Sequence, residues 1–99
     1  KTVRAEAPRV MVDPENYDAR ANVMWAGMLC HQGLAGVGRH EDWATHGLEH
    51  ELSALYPEIT HGAGLAVMFP AWMEFVYDAN PARFAYYGRE VFGLALRAT

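Results

Sequence analysis

Residues 42–64 read DWATHGLEHELSALYPEITHGAG and carry three of the five histidines of this 99-residue chain, His46, His50 and His61. His46 and His50 are four residues apart, a spacing that places two side chains on one face of a helix about one turn apart. His61 follows Pro57, which is expected to end that helix. Imidazole is the most common protein ligand of transition metals. The segment therefore indicates a candidate metal site.

The separation between His46 and His61 allows them to share a metal. A helix from His46 to Leu55 rises about 13 Å at about 1.5 Å per residue. The stretch from Leu55 to His61 reaches up to about 20 Å when extended, so the chain can return. His61 would then begin the next helix, where the helix dipole favours the neutral imidazole that a metal needs. Gly62 and Gly64 would allow close approach of backbone and ligands. We predict that His46 and His61 are two ligands of a divalent metal.

Five helices are predicted from the helix-forming and helix-breaking residues along the chain. Pro8 is expected to end or interrupt the first helix. Asp13-Pro14 and Asn80-Pro81 each pair a capping residue with a proline suited to the first helical turn. Apolar residues of the second and last helices recur every three or four positions. The predicted ranges are 1–7, 14–34, 41 or 42 to 55, 61–78 and 81–96.

Glycines and one further proline modify this scheme. Gly33, Gly36 and Gly38 are expected to form a flexible connector after the second helix. Pro70 lies inside the fourth predicted helix and is expected to kink or split it. No run alternates with period two for long enough to predict a strand. The predicted fold class is all-α.

Charge is unevenly distributed along the chain, whose net charge is −4. A negative chain lacks the basic surface that binds nucleic acid. No Lys or Arg lies between Arg39 and Arg83, whereas seven carboxylates do. This region suits a bound cation, but seven solvated carboxylates would give the same pattern and are the favoured interpretation. The seven are Glu41, Asp42, Glu49, Glu51, Glu58, Glu74 and Asp78.

The cysteine content and the apolar runs bear on the cellular compartment. Cys30 is the single cysteine, which excludes an internal disulfide and fits a reducing, cytoplasmic location. Its apolar surroundings predict an inert, buried thiol. The apolar run at 65–72 is too short to span a bilayer, so no membrane partner is expected. The sequence opens with Lys1 rather than Met, which suits a segment of a longer protein or a processed one.

The other histidines and the tryptophans are assigned structural positions. His31 and His40 lie outside the cluster and are expected in connectors or on the surface. Glu51 directly follows His50, but this H-x-x-x-H-E order differs from the H-E-x-x-H of zinc proteases, so a metalloprotease is only weakly supported. The tryptophans are expected to be packing residues. They are Trp25, Trp43 and Trp72.

Three longer segments carry a family resemblance: ARANVMWAGM at 19–28, DWATHGLEHELSALY at 42–56 and THGAGLAVMFPAWM at 60–73. The chain resembles the iron-containing alcohol dehydrogenases, especially their butanol-dehydrogenase-like branch. The resemblance implies that residues 1–99 are a partial helical metal-binding domain, from the C-terminal part of a dehydroquinate synthase-like fold. It also implies an N-terminal α/β domain, absent from these residues, that binds most of the NAD(P).

The same resemblance implies roles for the histidines. The family holds Fe²⁺, or Zn²⁺, with one Asp and three His, and His46 and His61 match two of these ligands. The other two precede the matched region. His50 matches a residue that lines the active site near the nicotinamide without binding metal. It is expected to be a catalytic proton relay or polar contact, with a packed structural histidine as the alternative.

The implied reaction interconverts a small primary alcohol and an aldehyde. The metal polarises the substrate oxygen, and a hydride passes to or from the nicotinamide. The 99 residues contain no G-x-G-x-x-G motif and two of four ligands, so the fragment alone is expected to be inactive. Two alternatives stay open: a zinc enzyme similar to glycerol dehydrogenase or dehydroquinate synthase, and a non-catalytic helical interaction module with structural histidines. A homo-oligomer also stays open.

Overall fold

The computed structural model describes residues 1–95, which form five α-helices, two short 3₁₀ helices and no strand. The predicted all-α class is confirmed. The α-helices are α1 (Thr2–Val12), α2 (Tyr17–His31), α3 (Ala44–Leu55), α4 (His61–Val76) and α5 (Pro81–Phe92). The 3₁₀ helices are Leu34–Gly36 and Tyr77–Ala79. The chain divides into two compact units, and the second begins at Asp42.

In the first unit, α1 packs against α2. Pro8 lies inside α1, and the helix continues to Val12, so the prediction that Pro8 ends or interrupts it is wrong. A proline removes one N–H donor, but its fixed φ is compatible with a helix. Packing of α1 against α2 stabilises the helix, so the lost hydrogen bond does not break it.

Helix α2 begins at Tyr17, later than the predicted Pro14, because Asn16 rather than Asp13 provides the cap. The Asp13 carboxylate accepts a hydrogen bond from the Glu15 N–H at 3.2 Å and closes a tight turn before the helix. The Asn16 side chain then accepts from the Ala19 N–H at 3.0 Å. The helix ends at His31, short of the predicted residue 34, because the next residues turn through a left-handed glycine at 33.

In the second unit, α3 packs against α4, and the residues between them reverse the chain. Helix α3 begins at Ala44, later than predicted, because Asp42 accepts a hydrogen bond from the Ala44 N–H at 2.8 Å in a turn before the helix. It ends at Leu55 as predicted. Helix α4 begins at His61, which is also as predicted. Pro70 lies inside α4, which continues to Val76 as one helix, so the proline does not split it.

Helix α5 confirms the Asn80-Pro81 start. The Asn80 side chain accepts a hydrogen bond from the Arg83 N–H at 3.1 Å, and Pro81 is the first helical residue. Gly93 ends the helix with φ 68°, a left-handed conformation that favours glycine. The prediction of a helix to about residue 96 is therefore too long: residues 93–95 are not helical, and residue 96 lies outside the described part.

Few apolar side chains are buried in either unit. Ala19 is the one hydrophobic residue classed as buried among residues 1–95. Trp25 and Trp43 are 62% and 51% exposed, so neither is buried in the core of its unit. Cys30 is exposed rather than buried. A helix that packs against one neighbour leaves most of its surface open, which accounts for the exposure of these residues. An exposed apolar surface of this kind is typical of a surface that packs against another domain or subunit.

None of the helices in the described residues combines the length and apolar character that a membrane crossing requires.

Candidate metal centre

The α3–α4 pair brings the three histidines of residues 42–64 together. The ring centroids of His46 and His61 are 5.5 Å apart, and those of His50 and His61 are 5.6 Å apart. His46 and His50 lie on one face of α3, one turn apart, and His61 faces them from the first turn of α4. The return of the chain from His46 to His61 therefore occurs as the spacing predicted.

Aromatic rings surround His46 on two further sides. The Trp43 ring contacts it edge-on at 4.7 Å between centroids, and the Phe69 ring does so at 6.1 Å. Trp43 directly precedes α3 and Phe69 comes from α4, so both helices fix the position of this imidazole. Such contacts restrict the ring to few orientations. His46 is half-buried, whereas His50 is exposed.

Glu49 lies beneath the histidines and is completely buried, with 0% exposure. One carboxylate oxygen accepts a hydrogen bond from the Ser53 hydroxyl, and the other contacts Nδ1 of His61. The Ser53 hydrogen bond lowers the pKa of Glu49 below its ordinary value, and the hydrogen bond and charges of His61 and His50 act in the same direction, against the effect of burial. Glu49 is therefore a carboxylate rather than a carboxylic acid at neutral pH.

This geometry corrects the interpretation of the acidic residues. The prediction that all seven carboxylates are solvated is wrong for Glu49. Two sequence signals could have identified it: Glu49 shares a helix face with His46, three residues before it, and with Ser53, four residues after it. His31 and His40 are both exposed and belong to the first unit, as their assignment to surface and connector positions predicted.

Among residues 1–95, one group of three potential ligands has donor atoms within 4.8 Å of one another, and it consists of Glu49, His50 and His61. His46 is not a member of this group, although its ring centroid is as close to that of His61 as the ring centroid of His50 is. Both oxygens of Glu49 are already occupied by hydrogen-bond partners. Glu49 is completely buried, whereas His46 is half-buried and His50 and His61 are exposed, so the histidines are the side chains more open to an ion.

The sequence of this site matches a known family. The family model "Fe-containing alcohol dehydrogenase family, C-terminal" matches residues 1–98. The chain belongs to this family. Three relatives show the extent of the similarity. NADH-dependent butanol dehydrogenase B of Clostridium acetobutylicum is 46% identical over 82 residues, which are 82% of this chain and 21% of that protein.

Two further relatives of this iron-type alcohol dehydrogenase chain come from other bacteria. A probable NADH-dependent butanol dehydrogenase 1 of Bacillus subtilis is 42% identical over 83 residues, 84% of this chain and 21% of that protein. An NADPH-dependent aldehyde reductase of Escherichia coli is 40% identical over 93 residues, 94% of this chain and 24% of that protein. The chain thus spans about a fifth of the length of the relatives it matches. No solved structure matches it significantly.

Proposed function

We propose that residues 1–99 are a partial helical metal-binding domain of an NAD(P)-dependent alcohol dehydrogenase, which interconverts a primary alcohol and an aldehyde. The convergence of three histidines at the α3–α4 pair carries this proposal. Membership of the Fe-containing alcohol dehydrogenase family supports it. The single cysteine fits the reducing cytoplasm, which we propose as the location.

The donor set fits Fe²⁺ or Zn²⁺. Imidazole nitrogens suit both ions, whereas Mg²⁺ prefers oxygen ligands. Nδ1 of His61 is committed to Glu49, so Nε2 is the atom that His61 can offer. We propose His46 as the second ligand and one Asp and one His from an N-terminal segment as the others. When bound, the metal supplies Lewis-acid polarisation of the substrate oxygen.

His50 is proposed to move a proton or hold a polar group beside this centre. Its ring lies 5.6 Å from that of His61, and its side chain is exposed, so it can contact a substrate or water. An imidazole can both donate and accept a proton near neutrality. The choice of His46 over His50 as ligand follows the family resemblance, because both rings are equally close to His61.

The nicotinamide dinucleotide is proposed to bind mainly to an N-terminal α/β domain of the same protein. Residues 1–95 contain no strand, so they offer no strand–turn–helix for a pyrophosphate. The relatives include proteins named NADH-dependent and one named NADPH-dependent. The exposed apolar faces of the helices, such as Phe75 at 88% exposure, are available to pack against that domain or against a second subunit.

Metal removal and replacement tests this function in the full-length protein. We expect chelation to abolish aldehyde-dependent oxidation of NAD(P)H, and Fe²⁺ or Zn²⁺ to restore it, because imidazole ligands retain these ions. Mg²⁺ serves as the control and should not restore activity. Unchanged activity after complete metal removal, or equal rescue by Mg²⁺, would contradict the proposal. Comparing butanal with dihydroxyacetone as substrates separates it from a glycerol dehydrogenase.

A further inference from the structure

Glu49 is the largest completely buried side chain in residues 1–95, although it is a carboxylate in a chain that buries few apolar side chains. Transfer of a carboxylate out of water is unfavourable unless hydrogen bonds and opposite charge compensate it. A solvated position was available on the same helix, since Glu51 two residues later is exposed. The burial of Glu49 therefore needs an explanation in terms of what its oxygens contact.

Each oxygen of Glu49 has a defined partner. Oε1 accepts a hydrogen bond from the Ser53 hydroxyl one turn further along α3. Oε2 contacts Nδ1 of His61 on α4. Because an ionised carboxylate can only accept, Nδ1 of His61 must carry the proton in this contact. In the neutral ring, which is the form that binds a metal, the second ring nitrogen, Nε2, is then unprotonated. The His61 side chain is 51% exposed, so its ring is open on the side away from the buried Glu49.

The facing helix is shaped to admit this carboxylate. Gly64 is buried on α4, one turn after His61. A Cβ added at Gly64 would lie 2.5 Å from Oε1 of Glu49 and 2.8 Å from its Cγ. Both distances are shorter than van der Waals contact, so any larger residue would displace Glu49. Gly64, Ser53 and His61 together surround the Glu49 carboxylate, so its position is fixed by contacts on both helices.

We propose that Glu49 is a positioning residue that holds the Nδ1–H of His61 and thereby leaves Nε2 of His61 free to bind the metal. This inference rests on the proposed function, in which His61 is a ligand. A carboxylate that accepts the second N–H of a metal-bound histidine fixes the tautomer and ring orientation and increases the basicity of the ligand. We assign Glu49 to positioning rather than to binding the metal, because it is completely buried and its Oε2 contacts Nδ1 of His61.

The first experiment measures metal affinity of the full-length protein by competition with a chelator, using Zn²⁺ as the probe. We expect Glu49→Gln, which keeps the shape but loses the charge, to weaken binding about tenfold to a hundredfold. Glu49→Leu, which removes the acceptor entirely, should weaken it at least as much. Glu51→Gln is the matched control, since it removes one exposed carboxylate from the same helix, and it should bind Zn²⁺ like the wild type.

The second experiment measures the chemical shifts of the two ring nitrogens of His61 by NMR, in the metal-free protein with ¹⁵N-labelled histidine. We expect the Nδ1–H tautomer in the wild type and a shift toward the Nε2–H tautomer in Glu49→Leu. Gly64→Ala should cause the same shift by crowding Glu49. A purely structural role for Glu49 would lower thermal stability in these variants without changing the tautomer or the metal affinity of the folded protein.

The outcomes separate this inference from the proposed function. If His61→Ala abolishes metal binding while Glu49→Gln and Glu49→Leu keep wild-type affinity and tautomer, the positioning role is overturned and the metal site stands. If His61→Ala keeps its metal, both are overturned. If Glu49→Leu does not fold, the Zn²⁺ affinity of Glu49→Gln and the His61 tautomer of Gly64→Ala test the positioning role instead.

Discussion

Replacing His61 or His46 by alanine is expected to remove the metal from the full-length enzyme and with it the dehydrogenase activity. Each substitution deletes one of the four proposed ligands, and the three that remain leave an open, weaker site. Loss of about 4 kcal/mol of Lewis-acid stabilisation corresponds to a fall of about a thousandfold in kcat/KM. Metal content per subunit and kcat/KM, measured on the same preparations, check this prediction.

Two other histidines serve as controls for this experiment. His31→Ala changes an exposed residue of the first unit and should keep both metal and activity. His50→Ala should keep the metal but lower kcat by about a hundredfold or more, the usual contribution of a general acid or base. If His50→Ala loses the metal and His46→Ala retains it, the ligand on α3 is His50, and the assignment of His46 is wrong.

The isolated 99-residue chain is expected to show no dehydrogenase activity. It supplies two of the four proposed ligands. Residues 1–95 contain no strand, so they have no strand that could lead into a dinucleotide-binding turn. A site with half of its ligands is open and weak. The test incubates the purified chain with butanol, Fe²⁺ or Zn²⁺, and NAD⁺ or NADP⁺, and follows formation of the reduced nicotinamide.

The full-length protein under the same conditions is the positive control for that assay. Circular dichroism of the isolated chain establishes that its helices form, so that inactivity can be attributed to the incomplete site. Robust turnover by the helical 99-residue chain would show that the N-terminal domain and its ligands are not needed. That result would contradict the proposal that these residues are a partial domain.

Helix starts could be predicted from the sequence where one capping residue has no competitor nearby. Asn80-Pro81 is such a case, and the Asn80 side chain caps α5 as expected. At Asp13-Pro14 a second capping residue, Asn16, stands three positions later and is the one that caps α2. Local sequence does not rank two caps this close, because the choice depends on how the preceding turn folds.

Proline effects were harder to predict, for a physical reason. Pro8 and Pro70 both lie inside continuous helices. The loss of one hydrogen bond disfavours a helix locally, but packing against a neighbouring helix can outweigh it. Each of these prolines lies in a helix that packs against another, α1 against α2 and α4 against α3. Such packing is not visible in a single sequence.

The candidate site was partly predictable. The approach of His61 to His46 follows from helix rise and loop reach, and the structure places their rings 5.5 Å apart. Glu49 is not singled out as a buried residue in the sequence analysis, because composition does not distinguish it from the other six carboxylates between Arg39 and Arg83. Its burial depends on Gly64, which comes from another helix and leaves the space that the carboxylate fills.

Anomalous diffraction from crystals of the full-length enzyme grown with zinc tests the central claim most directly. We expect a single strong peak about 2.0–2.1 Å from Nε2 of both His46 and His61, with Glu49 hydrogen-bonded to Nδ1 of His61 and not bound to the metal. A peak coordinated by Glu49 and His50, with His46 outside bonding distance, would contradict it.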